Sequence, residues 1–65
     1  MKVRYFKDTD TLYVEFRAEG IVETKDLDDQ TLLDVDGSGR LCAITIEHAS
    51  TRVDLSEMLI EGVAA

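Results

Sequence analysis

The chain has 65 residues, of which 14 are acidic and 7 basic, so its formal net charge at pH 7 is −7. A domain of about 60 residues buries only about 60% of the surface of its unfolded chain, and a disulfide, a structural metal or oligomerisation usually supplements so small a core. Cys42 is the one cysteine and His48 the one histidine, which excludes an internal disulfide and a zinc site with four Cys or His ligands. We therefore predict one small domain over residues 1–65 that forms a homo-oligomer.

The acidic balance also restricts the partners. A net charge of −7 repels phosphate backbones and anionic lipids, so we predict binding to neither nucleic acid nor membrane. The partners that this charge favours are a second copy or a small basic protein. No secretory signal is visible, and no window approaches the roughly 20 apolar residues of a membrane-spanning helix. These features predict a cytoplasmic protein, and no motif for a cofactor is present.

Alternating apolar residues predict two strands in the first part of the chain. Val3 and Tyr5 alternate with polar residues, and the same period of two continues over residues 12–17. Between these segments lies Asp8-Thr9-Asp10, where Asp side chains can accept hydrogen bonds from nearby backbone N–H groups. This cluster predicts a turn without any ligand.

Three more strands are predicted in the middle of the chain. Residues 21–25 are short and mixed, which suits an edge strand, and residues 26–29 then form an acidic loop. Thr31–Asp36 and Leu41–Glu47 alternate most regularly and are the strongest candidates. Together the five segments predict an antiparallel β-meander.

The last part of the chain predicts an α-helix. Asp54 is placed as its N-cap, Glu57 as the capping-box partner and Gly62 as its C-terminal stop. Apolar residues at helical spacing would pack on the sheet. These residues are Leu55, Met58, Leu59 and Val63. The predicted fold class is therefore α+β, an antiparallel meander of about five strands followed by one C-terminal α-helix on a sheet face.

The sheet face opposite this helix is also expected to be apolar. Phe6, Tyr13 and Leu32 alternate with the helix-facing residues and therefore lie across the sheet. One short helix covers only one face, so the second face needs a cover. A partner subunit is the economical cover, which again predicts a homo-oligomer.

Residues 34–39 resemble the first half of a calcium-binding loop. Asp34, Asp36 and Ser38 take its first, third and fifth positions, and Gly39 takes the sixth. The twelfth position, however, holds Thr45 instead of the bidentate Glu, and the flanking segments are strands instead of helices. Asp-Gly-Ser-Gly is also a hairpin signal, so we predict a turn and no metal site, with weak calcium binding left open.

No set of catalytic residues is recognisable. Cys42 and His48 lie about 20 Å apart on one strand at about 3.3 Å per residue, so Cys42 is predicted to be a buried thiol. A triad of Ser50, His48 and Asp54 is conceivable, but capping and turn roles already explain Ser50 and Asp54. The ligand-binding candidates are instead four polar residues that would meet at a subunit interface. They are His48, Arg52, Asp34 and Asp36.

Two arginines follow turns in this acidic chain. Arg40 and Arg52 are placed to form surface ion pairs with Asp34, Asp36 or Asp54. Such pairs contribute only about 0–1 kcal/mol each, so we interpret both arginines as solvated or interfacial charges.

The chain resembles the small prokaryotic family labelled domain of unknown function 2283. The most specific piece is an Asp-x-Asp-x-x-Gly-Arg-Leu turn that leads into an Ile-x-Ile strand and an Ala-Ser step. The residues that carry the resemblance are Tyr5, Asp8, Asp10, Leu12-Tyr13-Val14, Val22-Glu23, Leu33-Asp34-Val35-Asp36, Gly39-Arg40-Leu41, Ile44-Thr45-Ile46 and Ala49-Ser50. Thr45 stands where the family pattern often has Glu, and Ala43 where it often has Gly. The resemblance implies a stand-alone small domain, with a toxin-like neighbour suspected for some members, and no established biochemical activity.

Two functions from different classes follow. The first is a homo-oligomeric protein-interaction module, antitoxin-like in that its acidic surface would cover a basic partner. The second is an enzyme or small-ligand-binding domain whose site is assembled at the subunit interface. We favour the first function because one chain supplies no convincing set of catalytic roles.

Overall fold

A five-stranded antiparallel sheet makes up most of residues 1–55, the part of the chain that the computed structural model describes. All five predicted strands are present. They are β1 (Lys2–Phe6), β2 (Thr11–Glu15), β3 (Ile21–Asp28), β4 (Thr31–Asp36) and β5 (Leu41–Ile46). One 3₁₀ turn, Ala49–Thr51, follows β5.

The strand order is β1-β2-β5-β4-β3. A meander places the strands side by side in chain order, so the predicted meander is wrong. β5 does not remain beside β4 alone but inserts between β2 and β4. Ile44 of β5 pairs with Val14 on one side and with Leu33 on the other. The physical reason is that β5 is uncharged along its whole length and tolerates neighbours on both sides, whereas the charged β3 is kept at an edge.

β3 is longer than the sequence predicts, and its edge position is as expected. The acidic loop predicted over residues 26–29 is instead mostly strand, because Asp28 pairs with Thr31. A carboxylate oxygen of Asp28 accepts a hydrogen bond from the backbone N–H of Gln30 at 2.8 Å. This bond stabilises a tight turn between β3 and β4, so the connection is shorter than the predicted loop.

The α+β fold class is wrong for the described residues, which are all-β. Residues 1–55 contain no α-helix, and a 3₁₀ turn at Ala49–Thr51 follows the sheet. The described residues carry the period-two alternation of strands, and the apolar residues at helical spacing begin only at Leu55. Most residues of the predicted helix, including Glu57, Met58, Leu59, Gly62 and Val63, lie outside the described residues.

The buried core of the described residues is thin. Five apolar residues are buried, namely Leu12, Val35, Cys42, Ala43 and Ala49. Cys42 is fully buried, which confirms the prediction of a buried thiol. These residues lie in the three central strands β2, β4 and β5 and in the 3₁₀ turn, whereas both edge strands, β1 and β3, are exposed along their whole length.

The register defines two faces of the sheet. Leu12 pairs with Ile46, and Ile46 pairs with Thr31, so these three residues share the face on which the chain after β5 lies. Tyr13, Thr45 and Leu32 form the matching row on the other face. Arg4, Glu15 and Asp34 lie on this second face together with Tyr13 and Leu32, so the face is mixed and not the apolar one that the sequence predicts.

Candidate functional site

Asp36 organises the turn between β4 and β5. One carboxylate oxygen, Oδ1, accepts hydrogen bonds from the backbone N–H groups of Ser38 and Arg40, both at 2.9 Å. The other oxygen, Oδ2, lies 3.0 Å from Nη1 of Arg17 and 3.2 Å from Nε of Arg40. The backbone N–H of Arg40, followed by that of Ser38 and the two guanidinium groups, lowers the pKa of Asp36. This carboxylate is thus ionised and satisfied by the protein itself.

The hairpin turn predicted in place of a calcium loop is confirmed. Asp36 donates its backbone N–H to the carbonyl of Arg40 at 2.9 Å, and Gly39 has a φ of 81°, in the left-handed region that glycine enters without strain. Asp34 is engaged elsewhere, because its Oδ1 accepts a hydrogen bond from the Thr24 hydroxyl at 2.6 Å. No group of three His, Cys, Asp or Glu side chains suited to a metal occurs among residues 1–55. A cation at this turn would have to displace two arginines from Asp36.

Arg52 fastens the segment after β5 to the turn between β3 and β4. Its Nη1 donates to the carbonyl of Gln30 at 2.7 Å, and its Nη2 donates to the hydroxyl of Thr31 at 2.7 Å. Nη2 also lies 3.7 Å from a carboxylate oxygen of Asp28. Arg40 pairs with Asp36, which is one of the partners that the sequence allows, whereas Arg52 pairs with Asp28. The planar fork of the guanidinium explains how one side chain holds three partners.

The four ligand-binding candidates do not converge within one chain. Arg52 binds at the Thr31 end of β4, while Asp36 occupies the opposite end, about 17 Å away at about 3.4 Å per residue. His48 is exposed beside the 3₁₀ turn, and Asp34 bonds to the edge strand β3. A shared site for these four residues therefore requires more than one copy of the chain.

A polar cluster that the sequence does not reveal lies where the β1–β2 turn meets the 3₁₀ turn. Asp10 is its centre. Its Oδ1 accepts from the Tyr5 hydroxyl at 2.6 Å and from the backbone N–H of Ser50 at 3.0 Å, and its Oδ2 accepts from the Ser50 hydroxyl at 2.7 Å. The backbone N–H of Ala49 also donates to the Asp10 carbonyl at 2.9 Å. Asp10 and Ser50 are 40 residues apart, so no local signal could have paired them.

Two residues at this cluster have an unfavourable backbone conformation, and the hydrogen bonds of the cluster shift the pKa values of Asp10 and Tyr5. Asp10 and His48 both have a φ of 54°, a left-handed conformation that costs energy for a residue with a side chain. The hydroxyls of Tyr5 and Ser50 lower the pKa of Asp10, and the bond to Asp10 is the largest cause that raises the pKa of Tyr5. These directions match a neutral phenol that donates to an ionised carboxylate.

The surroundings of Ser50 differ from those expected for a Ser50, His48 and Asp54 triad. The carboxylate on the Ser50 hydroxyl belongs to Asp10, and the hydroxyl donates to it directly without an intervening imidazole. The cluster thus joins the two turns and orders the chain after β5. Asp8-Thr9-Asp10 does form the predicted turn, but Asp10 bonds across the molecule instead of to a neighbouring N–H.

Comparison with known proteins places the chain in a family. Residues 2–50 match the family described as "Protein of unknown function (DUF2283)", which covers more than half of the 65 residues. The chain therefore belongs to this family, as its turn motif and strand pattern predict. No match was found among the curated proteins or among the solved structures. Among the described residues there is no helix long and apolar enough to cross a membrane.

Proposed function

We propose that this chain is a cytoplasmic protein-interaction module that assembles with further copies of itself. The supporting observation is the balance of apolar side chains in residues 1–55, where five apolar residues are buried but nine large ones are more than a third exposed. Domains usually bury the apolar face of a sheet against a second layer, and the described residues supply only a short connection. A second copy would bury these side chains.

Val22 and Leu27 are the favoured contact residues for this self-association. Among the residues of the sheet they have the most exposed large apolar side chains, at 69% and 64%. Both lie in β3 at the two shifts of its register with β4, between Ile21 and Glu23 and between Asp26 and Asp28. A β-bulge leaves its extra residue outside the ladder and re-aims that residue's side chain. Two bulges thus present two apolar side chains along one edge.

Sedimentation velocity over a range of protein concentrations tests the proposal. We expect the wild-type chain to sediment as an oligomer and the Leu27→Glu variant to associate at least about tenfold more weakly, because a charge would be buried at the contact. Thr9→Glu, in the exposed β1–β2 turn at the opposite edge of the sheet, adds the same charge away from β3 and should leave association unchanged. A wild-type chain that remains monomeric at every concentration would refute self-association, and equal behaviour of the two variants would refute the β3 contact.

The antitoxin-like role is a separate proposal that rests on charge. Four of the seven basic residues, Arg17, Lys25, Arg40 and Arg52, already form ion pairs with acidic residues of the chain. Asp8, Glu19, Asp26 and Asp29 are exposed and form no ion pair with the described residues, which suits a small basic partner. Co-expression with a basic protein encoded beside it, followed by copurification at low and high salt, tests this role.

The enzyme or small-ligand alternative stays a prediction. It requires His48 and Arg52 of one copy to meet Asp34 and Asp36 of another. The concave surfaces among residues 1–55 are open, and one of them is lined by Asp28, Asp29, Gln30 and Arg52. A small-ligand site normally encloses most of its ligand, so this surface does not favour the alternative.

A further inference from the structure

The exposed edge of β1 differs from the edge of β3 in its backbone. All five residues of β1 pair with β2 in unbroken register, from Lys2 with Glu15 to Phe6 with Thr11. β3 has two register shifts, whereas β1 has none, and β1 contains no proline. An edge strand with a regular backbone presents a row of unpaired N–H and C=O groups with which another strand can pair. Bulges in an edge strand hinder this pairing. The structure leaves β1 as the edge that can accept a strand.

The charge of this edge is opposite to that of the chain. Residues 1–7 contain three basic residues and no acidic one, in a chain with a net charge of −7. Lys2, Arg4 and Lys7 form no ion pair with the described residues, whereas the other four basic residues all do. Three cations without an ion pair, in or next to one edge strand, attract an acidic segment.

Apolar side chains accompany these charges. Val3, Tyr5 and Phe6 are each more than a third exposed. Successive side chains of a strand point to opposite faces, so a strand added beside β1 would meet apolar groups on both faces of the sheet. The edge thus offers the backbone bonds, the apolar contacts and the charges that recognition by strand addition uses.

We propose that β1 is a docking strand for an extended acidic segment of another protein, one in which acidic and apolar residues alternate. A second copy of this chain fits less well. Antiparallel pairing of β1 with its own copy about Arg4 places arginine opposite arginine, which is unfavourable. The acidic edge of a second copy, β3, is interrupted by bulges at Val22 and Leu27. This docking is independent of the self-association proposed above.

A titration of the isotope-labelled full-length protein with a capped synthetic peptide of alternating Val and Glu, followed by amide NMR, tests the proposal. We expect the peptide to perturb the amides of β1 and to lose about tenfold in affinity for the Arg4→Glu variant. Lys25→Glu makes the same charge change on the β3 edge and should alter affinity by less than about threefold. Dispersed amide spectra of both variants check that they remain folded.

Two control peptides separate strand addition from simple charge attraction. A Val and Lys peptide, and a Val and Glu peptide N-methylated at every second residue, should both fail to perturb β1. Equal binding of the N-methylated peptide, equal effects of the two variants, or perturbation confined to β3 would each overturn the proposal. If the β1 amide signals shift when the protein is concentrated without peptide, the edge binds a second copy, and the proposal is also overturned. Sedimentation measures self-association and NMR measures peptide binding at β1, so the failure of one proposal can be told from the failure of the other.

Discussion

Single carboxylates hold the turns of this protein together. Asp36, Asp28 and Asp10 each accept backbone N–H groups at a turn, and each has a lowered pKa. Backbone N–H groups are the largest cause for Asp36 and Asp28, whereas the hydroxyls of Tyr5 and Ser50 are the largest causes for Asp10. A carboxylate whose folded pKa is lowered stabilises the fold above its unfolded pKa of about 3.9, and that stabilisation is lost as the pH falls through the folded value. The free energy of unfolding is therefore expected to fall as these carboxylates become protonated in acid.

Asp36→Asn should reduce the free energy of unfolding at pH 7 by more than any other single Asp→Asn change in residues 1–55. Asparagine can retain one acceptor for the N–H groups of Ser38 and Arg40, but it cannot pair with the two guanidiniums. Because the wild-type advantage needs the ionised form, the difference should shrink as the pH falls below about 4. Urea unfolding between pH 3 and pH 7 measures this difference, with Asp29→Asn at the β3–β4 turn as the control. A constant difference across the series would contradict the assignment.

Asp10→Asn should lower the pKa of Tyr5 towards its ordinary value. The raised pKa of Tyr5 arises first from its hydrogen bond to Asp10 and also from the negative charge of that residue. A raised folded pKa means that this bond stabilises the fold below the unfolded tyrosine value of about 10 and is lost as the pH rises through the folded value. NMR titration of the tyrosine rings measures the change, and Tyr13 provides an internal reference. Asp8→Asn in the same turn should leave Tyr5 unchanged.

At the scale of elements, a single sheet is held by few buried side chains. Leu12 is one of five buried apolar residues in the described part of the chain and lies in the strand between β1 and β5. The segment after β5 adds two attachments, the Asp10 cluster at one turn and Arg52 at another. These attachments keep it on the Leu12 face, where Ala49 becomes fully buried.

Leu12→Ala should destabilise the fold by about 2–5 kcal/mol, because the side chain is 5% exposed and its removal leaves a cavity. A core of this size rarely supplies more than about 3–5 kcal/mol, so the variant is expected to be largely unfolded as a monomer. Leu27→Ala is the matched control, since that leucine is 64% exposed and its loss should change monomer stability by less than about 0.5 kcal/mol. Denaturant unfolding at low protein concentration compares the two. Similar losses would show that the core is elsewhere.

Arg52→Lys should loosen the segment after β5 without unfolding the sheet. A lysine keeps the charge near Asp28 but cannot bridge the Gln30 carbonyl and the Thr31 hydroxyl as a planar guanidinium does. Hydrogen exchange should therefore accelerate at the amides of residues 49–53 and remain unchanged in β2 and β5. Arg40→Lys serves as a control at the other end of the sheet. Exchange that accelerates uniformly would contradict a local role for Arg52.

At the scale of the whole molecule, the two edges of the sheet have different characters. β3 combines bulges with exposed apolar side chains, while β1 combines a regular backbone with unpaired cations. Self-association at one edge would leave the other available for a second partner. The thin core makes such association a source of stability as well as of function.

The melting temperature of the wild-type chain should rise with protein concentration. A folded state that associates is stabilised by mass action, whereas the melting temperature of a monomer does not depend on concentration. Calorimetry over a hundredfold range of concentration measures this effect. Leu27→Glu should move the rise to at least about tenfold higher protein concentration, and Thr9→Glu should leave it unchanged. A concentration-independent wild-type melting temperature would count against the homo-oligomer.

The sequence alone determined the five strands, the edge position of β3, the buried thiol and the turn at Asp36, and it indicated the family. These features are local, since period-two alternation and turn residues act over a few positions. Only the tertiary structure decided that β5 lies between β2 and β4, that the described residues are all-β, and that Asp10 binds Ser50 40 residues away. Arg52 likewise took Asp28 as its ion-pair partner because the β3–β4 turn came within its reach. Contacts of this kind depend on which strands become neighbours, and that choice depends on packing across the whole sheet, which no short segment encodes.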